Sequence, residues 1–287
     1  MKWFGGRESD NVEDGNGSGG GGRGLIFGGG GILGVIGLLF YLFTGNDPQQ
    51  IGIGQRGGDG YEQQTSSSTG PKSMQTRFVR VVLAGTEDVW DSLFRAEGRT
   101  YVKPKLFLYS EGVEAGCGYA SSATGPFYCP ADSKVYLDTA FFSEMQQRFH
   151  APGLAAEAYV IAHEIGHHVQ NLLGVSAKMD NARSQMSRTE YNKLSVKLEL
   201  QADFYAGVWA HYEQTKGKGI VIERSDIDSI LIAAHAIGDD RLQKQATGHV
   251  SPDSFTHGTS AQRAYWFKKG FDTGDLKEGD TFGSSEL

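Results

Sequence analysis

Residues 154–173 read LAAEAYVIAHEIGHHVQNLL, and the run His163-Glu164-Ile165-Gly166-His167 inside them decides how the remaining chain is read. The stretch is expected as one helix from Leu154 to Leu173, closed by Gly174. Residues four apart lie one above the other on a helix, so the imidazoles of His163 and His167 can reach one metal ion, with Glu164 beside them and offset round the axis. That is the geometry of a zinc hydrolase. The residues just upstream, Ala155, Ala156, Ala158, Tyr159, Val160, Ile161 and Ala162, are apolar enough to bury the helix. Histidines on a buried helix are costly without partners or a metal. The bland alternative is an ordinary helix whose histidines are satisfied by hydrogen bonds.

Two histidines leave a tetrahedral site one protein ligand short if one position is kept for water. A second long helix is expected from Arg188 to Thr215, and it carries Glu199-Leu200-Gln201-Ala202-Asp203. Glu199 and Asp203, again four apart, share a face. Glu199 is assigned as the third zinc ligand, and Asp203 as the carboxylate that accepts the other ring N–H of His163 and fixes its tautomer. Alone, the pair would read as a solvated face near Lys197; the need for a third ligand decides against that. His168 is rotated about 100° from His167 and faces another way.

Outside these two helices the patterns are mixed. Phe78-Val79-Arg80-Val81-Val82-Leu83 reads as a strand, with Thr86 capping a helix through Phe94. Lys105–Tyr109 and Lys134–Asp138 read as short strands, whereas helices are expected over Asp226–Ala236 after a Ser225 cap and over Ala261–Lys269 after Thr259-Ser260. The class is α+β: a small sheet followed by a helical half.

The front of the chain differs in composition. Residues 1–24 are polar and Gly-rich and read as a flexible tail. Residues 25–43, LIFGGGGILGVIGLLFYLF, carry no charge and are just long enough for a transmembrane helix, with Tyr41 and Phe43 suited to the interface. The bulky end of this segment argues against a cleaved signal peptide. Gly30-x-x-x-Gly34 has the spacing of a close-packing helix pair, a weak sign of a homodimer. Residues 44–72, with Pro48 and Pro71, read as a spacer, leaving residues 73–287 as the folded domain. Arg7 and Arg23 precede the apolar segment and Arg56 follows it, which favours a cytoplasmic N-terminus and a periplasmic domain on an inner membrane crossed once. There Cys117 and Cys129 would pair; in the cytosol they would be free thiols. With 27 Lys+Arg against 34 Asp+Glu and a net charge of -7, nucleic acid is not an expected partner.

The pair HEIGH and ELQAD is similar to the glutamate-zincin pattern of metallopeptidases. The wider text, from residues 7–14 through CGYASSATGPFYCPADSKVYLD, AYVIAHEIGHHVQ and FTHGTSAQR, resembles a bacterial family of neutral zinc metallopeptidases over nearly the whole chain. The resemblance implies a membrane-anchored zincin fold with peptidase activity.

Zinc chemistry then implies a hydrolase in which Glu164 takes the proton of an activated water and passes it to the leaving amine of a peptide or protein substrate. For the oxyanion donor, His257 in Thr256-His257-Gly258-Thr259 is the first candidate, with His249, Arg263 and Tyr159 behind it. A loop or capping role for His257 is the competing reading. The stretch leading into Val135-Tyr136-Leu137 is expected to bind substrate by strand addition. A membrane-tethered adaptor that keeps the zinc but cleaves little is the alternative function.

Overall fold

The computed structural model of the chain describes residues 1–15, 73–110, 112–121, 124–138, 140–148, 153–216 and 219–284. The expected membrane segment 25–43, its Gly30/Gly34 spacing and the spacer 44–72 lie outside them. Among the described residues no helix is long and apolar enough to cross a membrane.

A four-stranded sheet is built from β1 (Val12–Asp14), β2 (Lys105–Tyr109), β5 (Phe127–Cys129) and β6 (Lys134–Asp138) in the order β1-β2-β6-β5. β1 and β6 run parallel to β2, and β5 runs antiparallel along β6 at the sheet's edge. β3 (Gly112–Ala115) and β4 (Gly118–Ser121) form a separate antiparallel pair. The Cys117–Cys129 disulfide ties the turn of that pair to the end of β5. Around it Tyr109, Ala120, Phe127 and Tyr136 make a small apolar cluster of their own.

The expected strand at Phe78–Leu83 is instead part of one helix, α1 (Met74–Ala96), capped by the Ser73 side chain, which accepts from the Thr76 N–H. Its β-branched run looks like a strand in isolation. Taken over the full length, however, the buried positions Phe78, Val82, Thr86, Val89, Trp90 and Phe94 recur at three- and four-residue steps, a helical stripe. Thr86 therefore lies mid-helix, its hydroxyl donating to the Leu83 carbonyl rather than capping a terminus.

The polar N-terminus is also not a free tail over its first fifteen residues. β1 extends the sheet, and Trp3 is 3% exposed with its ring 5.5 Å from Phe78. Arg80 of α1 donates to the carbonyls of Ser9 and Val12. Glu87, 1% exposed, is held by Ser9, Asn11 and Arg7. Composition misleads here because two apolar residues, Trp3 and Val12, anchor the segment in the core and hydrogen bonds to a buried carboxylate hold its polar remainder. The domain is thus residues 1–15 together with the chain from Ser73 onward.

The helical half follows: α2 (Phe141–Arg148), α3 (Leu154–Leu172), α4 (Val175–Arg183), α5 (Arg188–Lys216), α6 (Arg224–Ala236), α7 (Asp239–Thr247) and α8 (Ser260–Thr273). α6 starts two residues earlier than expected, because the cap is Glu223, whose N–H donates to Asp226 at 2.7 Å. α5 and α8 meet backbone to backbone through two glycines. A Cβ added at Gly207 would stand 2.0 Å from the Phe267 carbonyl oxygen, and one at Gly270 2.1 Å from that of Phe204. α3 is buried along nearly all its length, between the sheet and α5, so side chains from three directions converge on it.

Candidate metal centre

α3 carries His163, Glu164 and His167; α5 carries Glu199 and Asp203. The approach of the two helices depends on Gly166, where a Cβ would lie 2.9 Å from the Ala202 carbonyl oxygen and 3.0 Å from its Cα. The glycine inside HEIGH is therefore what lets ELQAD slide beneath the histidines.

His163, His167 and Glu199 each offer a ligand atom, and these lie within 4.8 Å of one another. The Nε2 of His163 is 3.2 Å from one Glu199 oxygen, and the Nε2 of His167 is 3.5 Å from the other. Both rings are committed at Nδ1. His163 donates to Asp203 Oδ1 at 2.8 Å, and His167 to the Gln170 side-chain oxygen at 2.8 Å. With Nδ1 so committed, both Nε2 atoms turn toward one carboxylate, an arrangement that needs positive charge among the three: a proton on His163 Nε2 bonded to Glu199, or a metal ion in its place. Tetrahedral zinc with bonds of about 2.0–2.1 Å separates its ligand atoms by roughly 3.3 Å. The two nitrogen-to-carboxylate distances are close to this, and the two-nitrogen, one-carboxylate donor set is one zinc accepts.

The electrostatics point the same way. Burial opposes charge on His163, yet the Asp203 carboxylate and the ring's hydrogen bonds to Asp203 and Glu199 outweigh it and raise its pKa to about 10. Burial likewise works against the Asp203 and Glu199 anions, but Arg263 and His163 hold Asp203 at about 2, and His167 and His257 hold Glu199 well below the usual range. A pocket that draws a proton this strongly also draws a cation. Glu164, 5% exposed, is different: burial pushes its carboxyl up, only partly offset by the histidines and by the Tyr128 backbone N–H bonded to it. It sits against β5, a buried edge strand of the sheet.

Asp203 is the most heavily held group. Besides His163 it accepts from the Tyr159 hydroxyl at 2.6 Å and from Arg263 through Nε at 2.8 Å and a terminal nitrogen at 3.0 Å. All of these side chains are buried. Tyr159 and Arg263, expected as reserve oxyanion donors, are spent on Asp203 instead. His249 is exposed and away from this network. His168 faces elsewhere, its Nε2 donating to the Val102 carbonyl and its Nδ1 accepting from the Tyr128 hydroxyl, in the neutral form that burial favours.

His257 is buried and lies within electrostatic reach of Glu199: burial lowers its pKa, but Glu199 and Asp239 together raise it above the ordinary value. Its loop is fixed by Asp239, one of whose oxygens accepts the backbone N–H groups of Thr256, His257 and Gly258 at 2.8, 2.7 and 3.0 Å. Of the stretch expected to bind substrate, Val135-Tyr136-Leu137 lie in β6, interior and paired on both sides, and the residues leading into them include β5, an edge strand.

Gln170 and Asp239 were not singled out from the sequence. Gln170 lies three residues after His167 on one helix, a spacing that could have flagged it. Its amide also donates to the Leu198 carbonyl at 2.7 Å, linking α3 to α5 just before Glu199. Nothing local to Asp239 marks it, since its partners follow seventeen or more residues later.

No solved structure matches this chain. The uncharacterized protein YpfJ of Escherichia coli strain K12 is 47% identical over 292 residues, spanning 99% of this chain and 100% of that protein. The uncharacterized protein Rv2575 of Mycobacterium tuberculosis strain H37Rv is 43% identical over 219 residues, 74% of this chain and 73% of its own. The family described as "Putative neutral zinc metallopeptidase" matches residues 1–282, and the chain belongs to that family.

Proposed function

We propose that the protein is a zinc-dependent peptidase in which His163, His167 and Glu199 hold the metal and Glu164 is the general base. The observation that carries this is the convergence of two imidazole Nε2 atoms on one carboxylate across 3.2 and 3.5 Å, with Glu164 next to them beside the edge strand β5. A zinc ion bound there would polarise a carbonyl and lower the pKa of a water toward ~7.

The chain's own groups supply the remaining steps. An extended peptide lies along β5, where Tyr128 turns its N–H toward Glu164, so the scissile carbonyl is presented beside the carboxylate. Glu164 takes the proton of the attacking water at a carboxylate oxygen and later gives it to the leaving nitrogen. Burial, which raises the Glu164 pKa, makes the carboxylate a stronger base for the first half of that exchange. His257, the charged-capable ring facing Glu199, stabilises the developing oxyanion.

The decisive experiment combines zinc quantitation with cleavage of an unfolded protein substrate for the intact chain, the Glu164→Gln variant and the chelator-treated protein. Expected are one zinc in both proteins, activity only in the unaltered chain, and its loss with chelator and return with zinc. Equal cleavage by Glu164→Gln sinks the mechanism. Zinc without cleavage in either protein would favour a binding adaptor.

A further inference from the structure

We propose that Gln170 is the positioning residue for His167, and that the C-terminal segment around the 3-10 turn Leu276–Gly279 holds it in place through Gln201, so that this segment tunes metal affinity. This role rests on His163, His167 and Glu199 holding the metal. It is independent of whether the bound metal cleaves peptides.

Backbone groups fix the direction of each hydrogen bond, because a backbone carbonyl only accepts. The Gln170 atom 2.7 Å from the Leu198 carbonyl oxygen is therefore its amide nitrogen, which also donates to the Gln201 side-chain oxygen at 3.2 Å. The Gln170 oxygen is left to face His167, 2.8 Å from Nδ1. Nδ1 thus carries the hydrogen, and Nε2 is the nitrogen turned to the metal site. Gln201 is oriented in the same way. Its nitrogen donates to the Gly279 carbonyl at 2.9 Å, which turns its oxygen to Gln170. One polarity runs from Gly279 through two buried amides to His167, as Asp203 alone provides for His163.

The same segment clamps the part of α5 that carries Glu199. The buried Thr281 hydroxyl donates to the Lys197 carbonyl at 2.6 Å, and the Lys197 ammonium donates to the Phe282 carbonyl at 3.0 Å. A carbonyl oxygen has two lone pairs, so Lys197 and Leu198 can take these outside donors and keep their helical bonds. Gly279 lies against the Phe204 ring, where a Cβ would stand 2.5 Å from Cε1. Residues 197, 198 and 201 flank Glu199, and all three are held from outside α5. His167 and Glu199 therefore share one support.

Full-length Gln170→Leu, Gln170→Glu and Gln201→Leu variants test this against the unaltered chain. Both Gln170 changes break the bonds to Leu198 and Gln201, but only Glu keeps an acceptor for the His167 Nδ1–H. Zinc affinity, measured by competition with a chromogenic chelator, is expected to fall about 10–100-fold in Gln170→Leu and to be largely restored in Gln170→Glu. An unchanged affinity in Gln170→Leu, or equal losses in the two variants, reduces Gln170 to packing and overturns its role. For the C-terminal segment, hydrogen–deuterium exchange over residues 274–284 is followed with and without saturating zinc. Coupling of binding free energies is reciprocal, so a segment that tightens zinc binding is itself tightened by zinc. Slower exchange with zinc is expected in the unaltered chain and not in Gln201→Leu. Zinc uptake by the unaltered chain with no change in exchange overturns the segment's part, and this arm needs no variant to fold. An unaltered chain that takes up no zinc overturns the metal site and this role with it, an outcome read separately from the chelator titration.

Discussion

Asp203 Oδ1 stands 2.8 Å from His163 Nδ1, and the same carboxylate takes two hydrogen bonds from the buried Arg263. The candidate metal-binding face on α3 is thereby oriented from α5, and the orienting carboxylate is neutralised from α8. Asp203→Asn keeps the shape but frees the His163 tautomer and strips Arg263 of its counter-charge. Zinc affinity, measured by competition with a chromogenic chelator, is expected to fall about 10–100-fold. Stability is expected to drop by about 3–5 kcal/mol, because a buried guanidinium is left unpaired. An unchanged zinc affinity would show that Asp203 does not orient the ligand.

Gly166 tests the helix approach. The methyl of Gly166→Ala meets the Ala202 backbone at 2.9–3.0 Å, an atom pair that cannot move without shifting α5. Glu199 rides on that helix. A destabilisation of about 1–3 kcal/mol is expected from overpacking, together with weaker zinc binding. Denaturant titration and chelator competition on the same variant check both, and an unaffected site would mean that the helices have slack the structure does not show.

The candidate metal site was legible because both of its halves are helical and each half carries its pair at a four-residue step: His163 with His167, and Glu199 with Asp203. The α+β class, and the strands Lys105–Tyr109 and Lys134–Asp138, were legible from short β-rich runs between turn residues. What was not legible depends on contacts distant in sequence. Residues 78–83 are β-branched enough to mimic a strand, and only the wider burial stripe through Trp90 and Phe94 reveals the helix. Arg7, Ser9 and Asn11 look like solvated tail residues until Glu87 is placed beneath them. Arg263 could be read as a cleft residue because its carboxylate partner is sixty positions away.

The N-terminal packing predicts that a fragment beginning at Ser73 will not behave as a folded domain. Without residues 1–15, Glu87 loses Arg7, Ser9 and Asn11 and keeps only Lys103, at 3.6 Å, while β2 becomes an unprotected edge. Leaving a buried carboxylate this poorly paired costs about 3–5 kcal/mol, a large part of a domain's stability. Thermal unfolding followed by circular dichroism is expected to show a strongly lowered or absent transition for the fragment. A transition matching that of the longer chain would show that residues 1–15 merely decorate the surface.

Glu157 gives the domain a pH dependence of defined sign. It lies two helical turns before Glu164, 6% exposed, and burial alone raises its carboxyl from 4.5 to about 7. The folded state therefore holds this proton more tightly than the unfolded chain does. The stability linked to it is fully present below the unfolded value and is lost as pH rises through about 7. Because Glu157 lines a cavity that is open to solvent, the loss is expected to be no more than about 2 kcal/mol. Glu157→Gln keeps the shape without the charge, so the variant should gain on the parent by that amount above neutral pH and match it in mild acid. Denaturant unfolding of both proteins across this range is the measurement. Parallel stability profiles would place the pH dependence elsewhere and would mean that the Glu157 carboxylate is hydrated in the folded protein.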